Sequence, residues 1–533
     1  MIRNPILPGF NPDPSICRVG EDYYIATSTF EWFPGVQIHH SRDLVNWDLV
    51  CRPLDRSCQL DMRGNPDSCG IWAPCLSHAD DQFWLVYTDV KRYDGNFKDA
   101  HNYIVTAPEI TGPWSERIYV NSSGFDPSLY HDTDGRKYFL NMRWNYRTES
   151  YGGNPKSPAF DGILMQEWHP VRGLLGKAQN IFPGSALGLV EGPHLHKRNG
   201  WYYLTVAEGG TGYSHAVTMA RSRDIRGPYE MHPDTHLITA KDHPDAPLQR
   251  AGHGQIVETP EGEVYHTHLC SRPLPGTRRS PLGRETALQK CVWGQDDWLY
   301  LEDCGPVPKV DVPVSPDVER RPQKPVLRCF KGDSLPPEFQ WLRTPEPERI
   351  FSLTGNSLRL VGRESPGSWF EQALVARRQE HFAFRAETLV EFSPATYQQA
   401  AGITHYYNRH KFHAFCVTWH EEAGRCLTIL SCPGDWPDGR LQFPLAEPVA
   451  LPASGPVALA MEVDGPELRF FWRGPDGWEQ VGPVLDASAI SDEGGRGEHG
   501  SFTGAFTGML AFDTSGAALP ADFRRFDYLP GTE

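Results

Sequence analysis

At 533 residues the chain is too long for one ordinary core, so two domains are expected; 51 basic against 67 acidic residues leave a formal charge of -16, which disfavours nucleic acid and anionic membranes as partners. With 39% hydrophobic and 22% charged residues, 50 Gly and 47 Pro, the composition is that of a turn-rich globular protein with few long helices. The opening MIRNPILPGF lacks a basic and then apolar leader, and no run of about 18 apolar residues follows, so a cytoplasmic protein with a neutral ligand is expected.

The first segment, DPSICRVGEDYYIATS from Asp13, is an apolar stretch, a polar turn with Gly20 and a second stretch of aromatic and β-branched residues. The same grammar returns at Cys75 (CLSHADDQFWLVYTD), Asp126 (DPSLYHDTDGRKYFLNM), Glu191 (EGPHLHKRNGWYYLTVA) and His253 (HGQIVETPEGEVYHTH). The leading residues lie 62, 51, 65 and 62 positions apart, each interval fitting a four-stranded blade with its loops. A second landmark, a turn followed by an aromatic, closes three units at Trp47, Trp114 and Tyr229. A five-bladed β-propeller over residues 1–305 is therefore expected. Because the innermost strands of a propeller line its channel, Asp13, Cys75, Asp126, Glu191 and His253 are expected to converge. Asp-Pro-Ser and Glu-Gly-Pro also suit strand caps, but three carboxylates at matched positions point to chemistry.

From Gly305 a stretch rich in Pro and charge, GPVPKVDVPVSPDVERRPQKPV, reads as a linker over 306–325. Alternating segments such as AETLVEFSP, FHAFCVTWH and ELRFFWRG then predict an all-β sandwich of jelly-roll or concanavalin-like type over 326–533, with a scaffolding or carbohydrate-binding role. Late in it, Ser501-Phe-Thr-Gly-Ala-Phe-Thr507 offers Phe502 as an aromatic able to reach back to the propeller mouth. Twelve Cys without a Cys-x-x-Cys pair are expected to be free thiols.

Three carboxylates in one mouth, with Phe30, Trp32, Trp72 and Trp144 in or near channel-facing loops, point to sugars: apolar rings stack on pyranose faces while carboxylates and Arg hold hydroxyls. Glycoside hydrolysis needs one carboxyl to protonate the leaving oxygen and another to attack C1 or to activate water. A third, placed as a like charge, keeps the acid protonated near neutral pH. Composition and spacing leave the three roles open.

The set NPDPSI (11–16), YYIATSTFEWFPGVQIHHSRDLVNW (23–47), GIWAP (70–74), GFDPSL (124–129), EGPHL (191–195), PLGRETALQK (281–290), FTGAF (502–506) and ALPADF (518–523) resembles glycoside hydrolase family 43, specifically its bacterial two-domain β-xylosidases. The resemblance spans nearly the whole chain. It implies a five-bladed propeller with an appended β-sandwich and an inverting, exo-acting β-D-xylosidase that releases xylose from the non-reducing end of short xylooligosaccharides. An α-L-arabinofuranosidase side activity is common in that group. By the same resemblance, Asp13 is the general base, Glu191 the general acid and Asp126 the residue that tunes and orients the acid. Arg284, Phe30, Trp72 and Phe502 are implied to hold substrate, with no cofactor required; Trp144, near a channel-facing loop, and His253, at the fifth repeat position, join them as expected substrate-binding residues. A divalent cation, calcium, near His253 is the alternative to a hydrogen-bonded channel histidine. A homo-oligomer, a tetramer by analogy, is also implied.

Two features depart from the pattern. Cys75 stands where the family carries Asp after Trp-Ala-Pro and is expected to be neutral, and the segment 147–162 looks particular to this chain. The rival readings are an enzyme acting mainly as an arabinofuranosidase, a non-catalytic sugar-binding propeller and a retaining fructosidase-like propeller. The second is opposed by the desolvation cost of a like-charge cluster, the third by Glu191-Gly-Pro-His and a missing Glu-Cys motif.

Overall fold

The computed structural model describes residues 1–533 apart from 152–153, 316, 435–439, 496–500 and 532–533; residues 152 and 153 of the segment 147–162 therefore lie outside the described residues. Five antiparallel sheets follow one another along the chain, each with its strands in sequence order. Blade 1 comprises Ser15–Val19, Asp22–Thr27, Gln37–Ser41 and Asp48–Cys51, and blade 2 comprises Gly70–Ala79, Gln82–Arg92, Asp99–Ala107 and Ile118–Asn121. Blade 3 comprises Ser128–His131, Lys137–Trp144, Phe160–His169 and Gly173–Phe182, and blade 4 comprises Glu191–Arg198, Trp201–Glu208, Ala216–Ser222 and Glu230–Thr239. In blade 5 the innermost strand comes in two pieces, Gln249–Gly252 and Ile256–Glu258, both paired with Val264–Ser271, before Glu285–Trp293 and Leu299–Leu301.

The innermost strands of blades 1 to 4 touch in turn, Gln249–Gly252 of blade 5 packs against Ala216–Ser222 and Glu230–Thr239 of blade 4, and Ile256–Glu258 packs against Ser15–Val19, which closes the ring. Blades pack on both faces, so central strands such as Gln82–Arg92 and Val264–Ser271 are buried almost throughout and lose the half-buried alternation of an open sheet. The landmark aromatics tie down their own turns: Trp47 Nε1 donates to Leu44 O (3.2 Å), Trp114 Nε1 to Ile110 O (3.1 Å) and the Tyr229 hydroxyl to Ile225 O (2.9 Å). All twelve cysteines are free thiols, most of them buried, and no helix among the described residues is long and apolar enough to cross a membrane.

The N-terminal Ile2–Arg3 pairs with Asp311–Val312, so the segment expected as a linker first runs back along the propeller. Beyond it, two eight-stranded sheets enclose a core that includes Val375, Ile403, Phe415, Leu459, Phe470, Phe523 and Phe526. Here the alternation read from the sequence is kept: Ala383–Glu391 buries every second side chain. One sheet is completed by a strand from the propeller, Trp32–Phe33, which pairs with Gln340–Leu342. The Trp32 ring also stacks on Phe506, with centroids 3.7 Å apart and an interplanar angle of 11°. The two units thus share a sheet directly beside Phe30, a wall residue of the cavity described next.

Candidate active site

A cavity of about 290 Å³ opens at the propeller mouth and is lined by Asp13, Asp126, Glu191, His253 and Arg284 among its polar groups. Four of the five leading residues of the repeats meet there, and their backbones show why. Asp13, Asp126 and His253 sit at φ of 56°, 53° and 45°, and Glu191 is followed by Gly192 at φ 56°. A left-handed residue at or beside each of these leading positions turns the side chain into the mouth; for an Asp that precedes Pro this region is costly, and such strain concentrates at functional sites. Gly192 has a second constraint, since a Cβ there would lie 2.7 Å from the His253 ring.

Cys75 does not join them. It lies inside the strand Gly70–Ala79, beyond an irregularity between Trp72 and Cys75, and packs among Trp84, Val86, Leu129 and Phe139. The expected convergence of five leading residues is corrected to four, and Trp72 takes the second repeat's place at the cavity. Burial raises the Cys75 thiol to about 11, so it is neutral.

Asp13 is held on both oxygens. Oδ1 accepts from Arg284 Nη1 at 2.9 Å and Oδ2 from the Ser28 hydroxyl at 2.6 Å. Arg284, itself 2% exposed, turns its other edge to the sandwich domain, donating from Nη2 (2.8 Å) and Nε (3.3 Å) to the carbonyl of Phe502. That carbonyl is positioned by its own loop. Phe502 N–H donates to Ser68 Oγ (3.2 Å) and Thr503 N–H to the Tyr407 hydroxyl (2.9 Å). Gly283 allows the close approach, because a Cβ there would meet Thr503 O at 2.2 Å.

Burial, then the Asp13 charge, pushes Glu191 up to about 8, against the opposing pull of Arg284 and Lys98. Asp126 is raised well above the usual carboxylate range by burial and by repulsion from Glu191 and Asp13, although the Gly192 backbone hydrogen bond favours its anion. The repulsion is mutual, so protons leave this pair in two steps that belong to both residues, and one proton is retained near neutral pH.

Phe30, Trp72 and Phe502 form the wall, with ring centroids 5.9 to 6.3 Å apart. Trp144, expected in the pocket, stands one layer back: its ring lies 4.0 Å from Lys98 Nζ and its Nε1 donates to Asn96 O (2.8 Å). Lys98 takes the lining position instead and is lowered to about 8 by burial. Tyr93, Lys98, Phe125, Phe160 and His215 also line the cavity and were not singled out from sequence. Phe125 alone carried a signal, as neighbour of Asp126.

His253 faces His194, with ring centroids 6.2 Å apart, and burial lowers its pKa. Among the described residues no group of three or more His, Cys, Asp and Glu is arranged to hold a metal ion.

A cavity with a carboxylate held by Arg and two mutually repelling carboxyls is suited to paired proton transfers at a neutral ligand. The family model for glycosyl hydrolases family 43 matches residues 2–299, and that for the β-xylosidase C-terminal concanavalin A-like domain matches residues 328–529. The chain belongs to glycosyl hydrolase family 43. It is 59% identical to a xylosidase/arabinosidase 43B of Humicola insolens, covering 99% of this chain and 98% of that protein. It is also 48% identical to a β-xylosidase of Bacillus subtilis, over 99% of both. The crystal structure of a xylan β-1,4-xylosidase from Bacillus halodurans superposes with a TM-score of 0.94 at 48% identity, over 99% of this chain and all of the other. The family 43 propeller with its concanavalin-like companion is thus the architecture of this glycoside hydrolase.

Proposed function

We propose that this enzyme is an inverting, exo-acting β-D-xylosidase that releases xylose from the non-reducing end of xylobiose and short xylooligosaccharides. The observation that carries it is the arrangement of three buried carboxylates around Arg284 in a cavity walled by Phe30, Trp72 and Phe502. Names of relatives add the sugar, and the relative named xylosidase/arabinosidase supports turnover of α-L-arabinofuranosides as a side activity.

Asp13, ion-paired and oriented through both oxygens, takes the proton of a water as that water's oxygen attacks C1. The C1–O bond breaks as Glu191 passes its proton to the leaving oxygen. Proton exchange with solvent then restores both groups. Asp126 acts through Glu191, adding the like charge that keeps the pair's last proton on at neutral pH.

A proton NMR time course with xylobiose tests the stereochemistry. The α-anomer of xylose is expected before mutarotation; the β-anomer first would make Asp13 a nucleophile and end this assignment. Asp126→Asn tests the tuning role. Removing the repulsion lets Glu191 ionise more easily, so the alkaline limb of the kcat/KM profile is expected at lower pH than in the native enzyme. An unmoved limb would leave Asp126 with orientation alone.

A further inference from the structure

His215 lines the cavity, yet the roles above do not use it. It is 1% exposed, and its Nε2 is a buried polar atom without a hydrogen-bond partner among the described residues. The other ring nitrogen is accounted for: Nδ1 lies 3.1 Å from the carbonyl oxygen of Glu208. A carbonyl only accepts, so Nδ1 carries the hydrogen and a neutral ring presents a bare lone pair at Nε2. We propose that His215 is a specificity-determining residue of the sugar site, its Nε2 accepting a hydrogen bond from one hydroxyl of the bound pyranose.

The ring is fixed in place. The Glu208 carboxylate accepts from the Ser185 N–H and hydroxyl (both 2.6 Å) and from the Thr218 hydroxyl (2.5 Å), which holds the backbone that positions Nδ1. Thr239 Oγ1 donates to His215 O at 2.8 Å. Gly252 lies along the Cδ2–Nε2 edge, where a Cβ would fall within 2.2 and 2.5 Å of those two atoms. Burial, with the nearby His253 and Arg284, lowers the ring's pKa to about 3, opposed by Asp13, so the acceptor stays neutral across the working range. Arg284 and Lys98 offer the cavity only donors, whereas His215 offers an acceptor that carries no charge. A sugar carbon facing Nε2 must therefore bear an O–H. A hydrogen, a fluorine or a carboxylate there leaves the lone pair unpaired or repelled, which is how a built polar site rejects an analogue.

The inference rests on the xylosidase reading, and inhibition separates the two. Competitive inhibition constants are measured for xylose and for its 2-, 3- and 4-deoxy analogues with the native enzyme and with His215→Leu. The substitution is expected to weaken xylose by about tenfold to a hundredfold, while one deoxy sugar binds both proteins equally. Equal weakening of all four sugars overturns the assignment. The native enzyme alone gives a second reading that does not depend on the variant's folding. At the carbon that faces Nε2, the fluoro sugar should bind no better than the deoxy sugar, since neither can donate. If at every carbon the fluoro sugar binds better than the deoxy sugar, no acceptor-only contact exists and the assignment falls. A native enzyme that xylose does not inhibit removes the xylosidase reading, and this one with it.

Discussion

Glu191→Gln is expected to lower kcat/KM on xylobiose by about 10²–10⁴-fold, while an aryl β-xyloside with a strongly acidic phenol as leaving group loses far less. The sugar alkoxide needs a proton as the C1–O bond breaks, and Gln cannot supply one; the acidic phenolate leaves without help. Asp13→Asn should behave differently. Water must be activated whatever departs, so both substrates are expected to lose a similarly large factor. The two variants read the two halves of one reaction. Steady-state kinetics on the two substrates checks this, with the denaturation midpoints of both variants as the control for folding. Equal losses on both substrates for Glu191→Gln would assign the acid elsewhere, and sparing of the aryl substrate by Asp13→Asn would remove Asp13 as the base.

The meeting of these residues at one mouth was legible because the propeller writes that mouth into a repeat, whereas their separate roles came only with the family resemblance. Asp13, Asp126, Glu191 and His253 share a place in the sequence grammar, and the left-handed turn at or beside each gives that grammar a physical cause. Cys75 fits the same letters and fails for the same reason. It lies within an extended strand, and Trp72, three residues earlier, reaches the cavity instead. The aromatic landmark also read correctly, since each closing ring bonds a carbonyl of its own turn.

Contacts that cross between repeats or between units were harder to read. Lys98 and Phe160 reach the cavity from loops and strands of different blades, and nothing in their local sequence marks a lining residue. His215 sits at the end of a turn, just ahead of the fully buried strand Ala216–Ser222, where nothing in the local sequence marks it; only the carbonyl of Glu208 and the press of Gly252 single out its Nε2. The sandwich was read from its period, but the strand Trp32–Phe33 that completes one of its sheets was not. Two residues carry no period, and their partner lies some three hundred positions away. That strand begins two residues after Phe30, so the sandwich fixes one wall of the pocket through Trp32–Phe33 and another through Phe502.

Arg284→Ala should show how much of the site depends on that junction. Arg284 joins Asp13 of the propeller to the Phe502 carbonyl of the sandwich, and all three groups are buried or nearly so. Its removal leaves a buried carboxylate without its cation and a carbonyl without its donor, which typically costs about 3–5 kcal/mol of stability. A fall of that size in chemical denaturation is expected, with kcat/KM reduced by orders of magnitude because Asp13 loses its fixed direction. The alkaline limb of the profile carries the sharper test. Arg284 favours the Glu191 anion, so without it Glu191 holds its proton to higher pH and the limb moves up, opposite to Asp126→Asn. Arg284→Lys separates charge from geometry. A point charge restores the limb toward its native position, but it cannot span Asp13 and the Phe502 carbonyl at once, so kcat/KM should remain low. If the Lys variant recovered both, Arg284 would serve the site as a charge alone, and the contact with the sandwich would not be what orients the base.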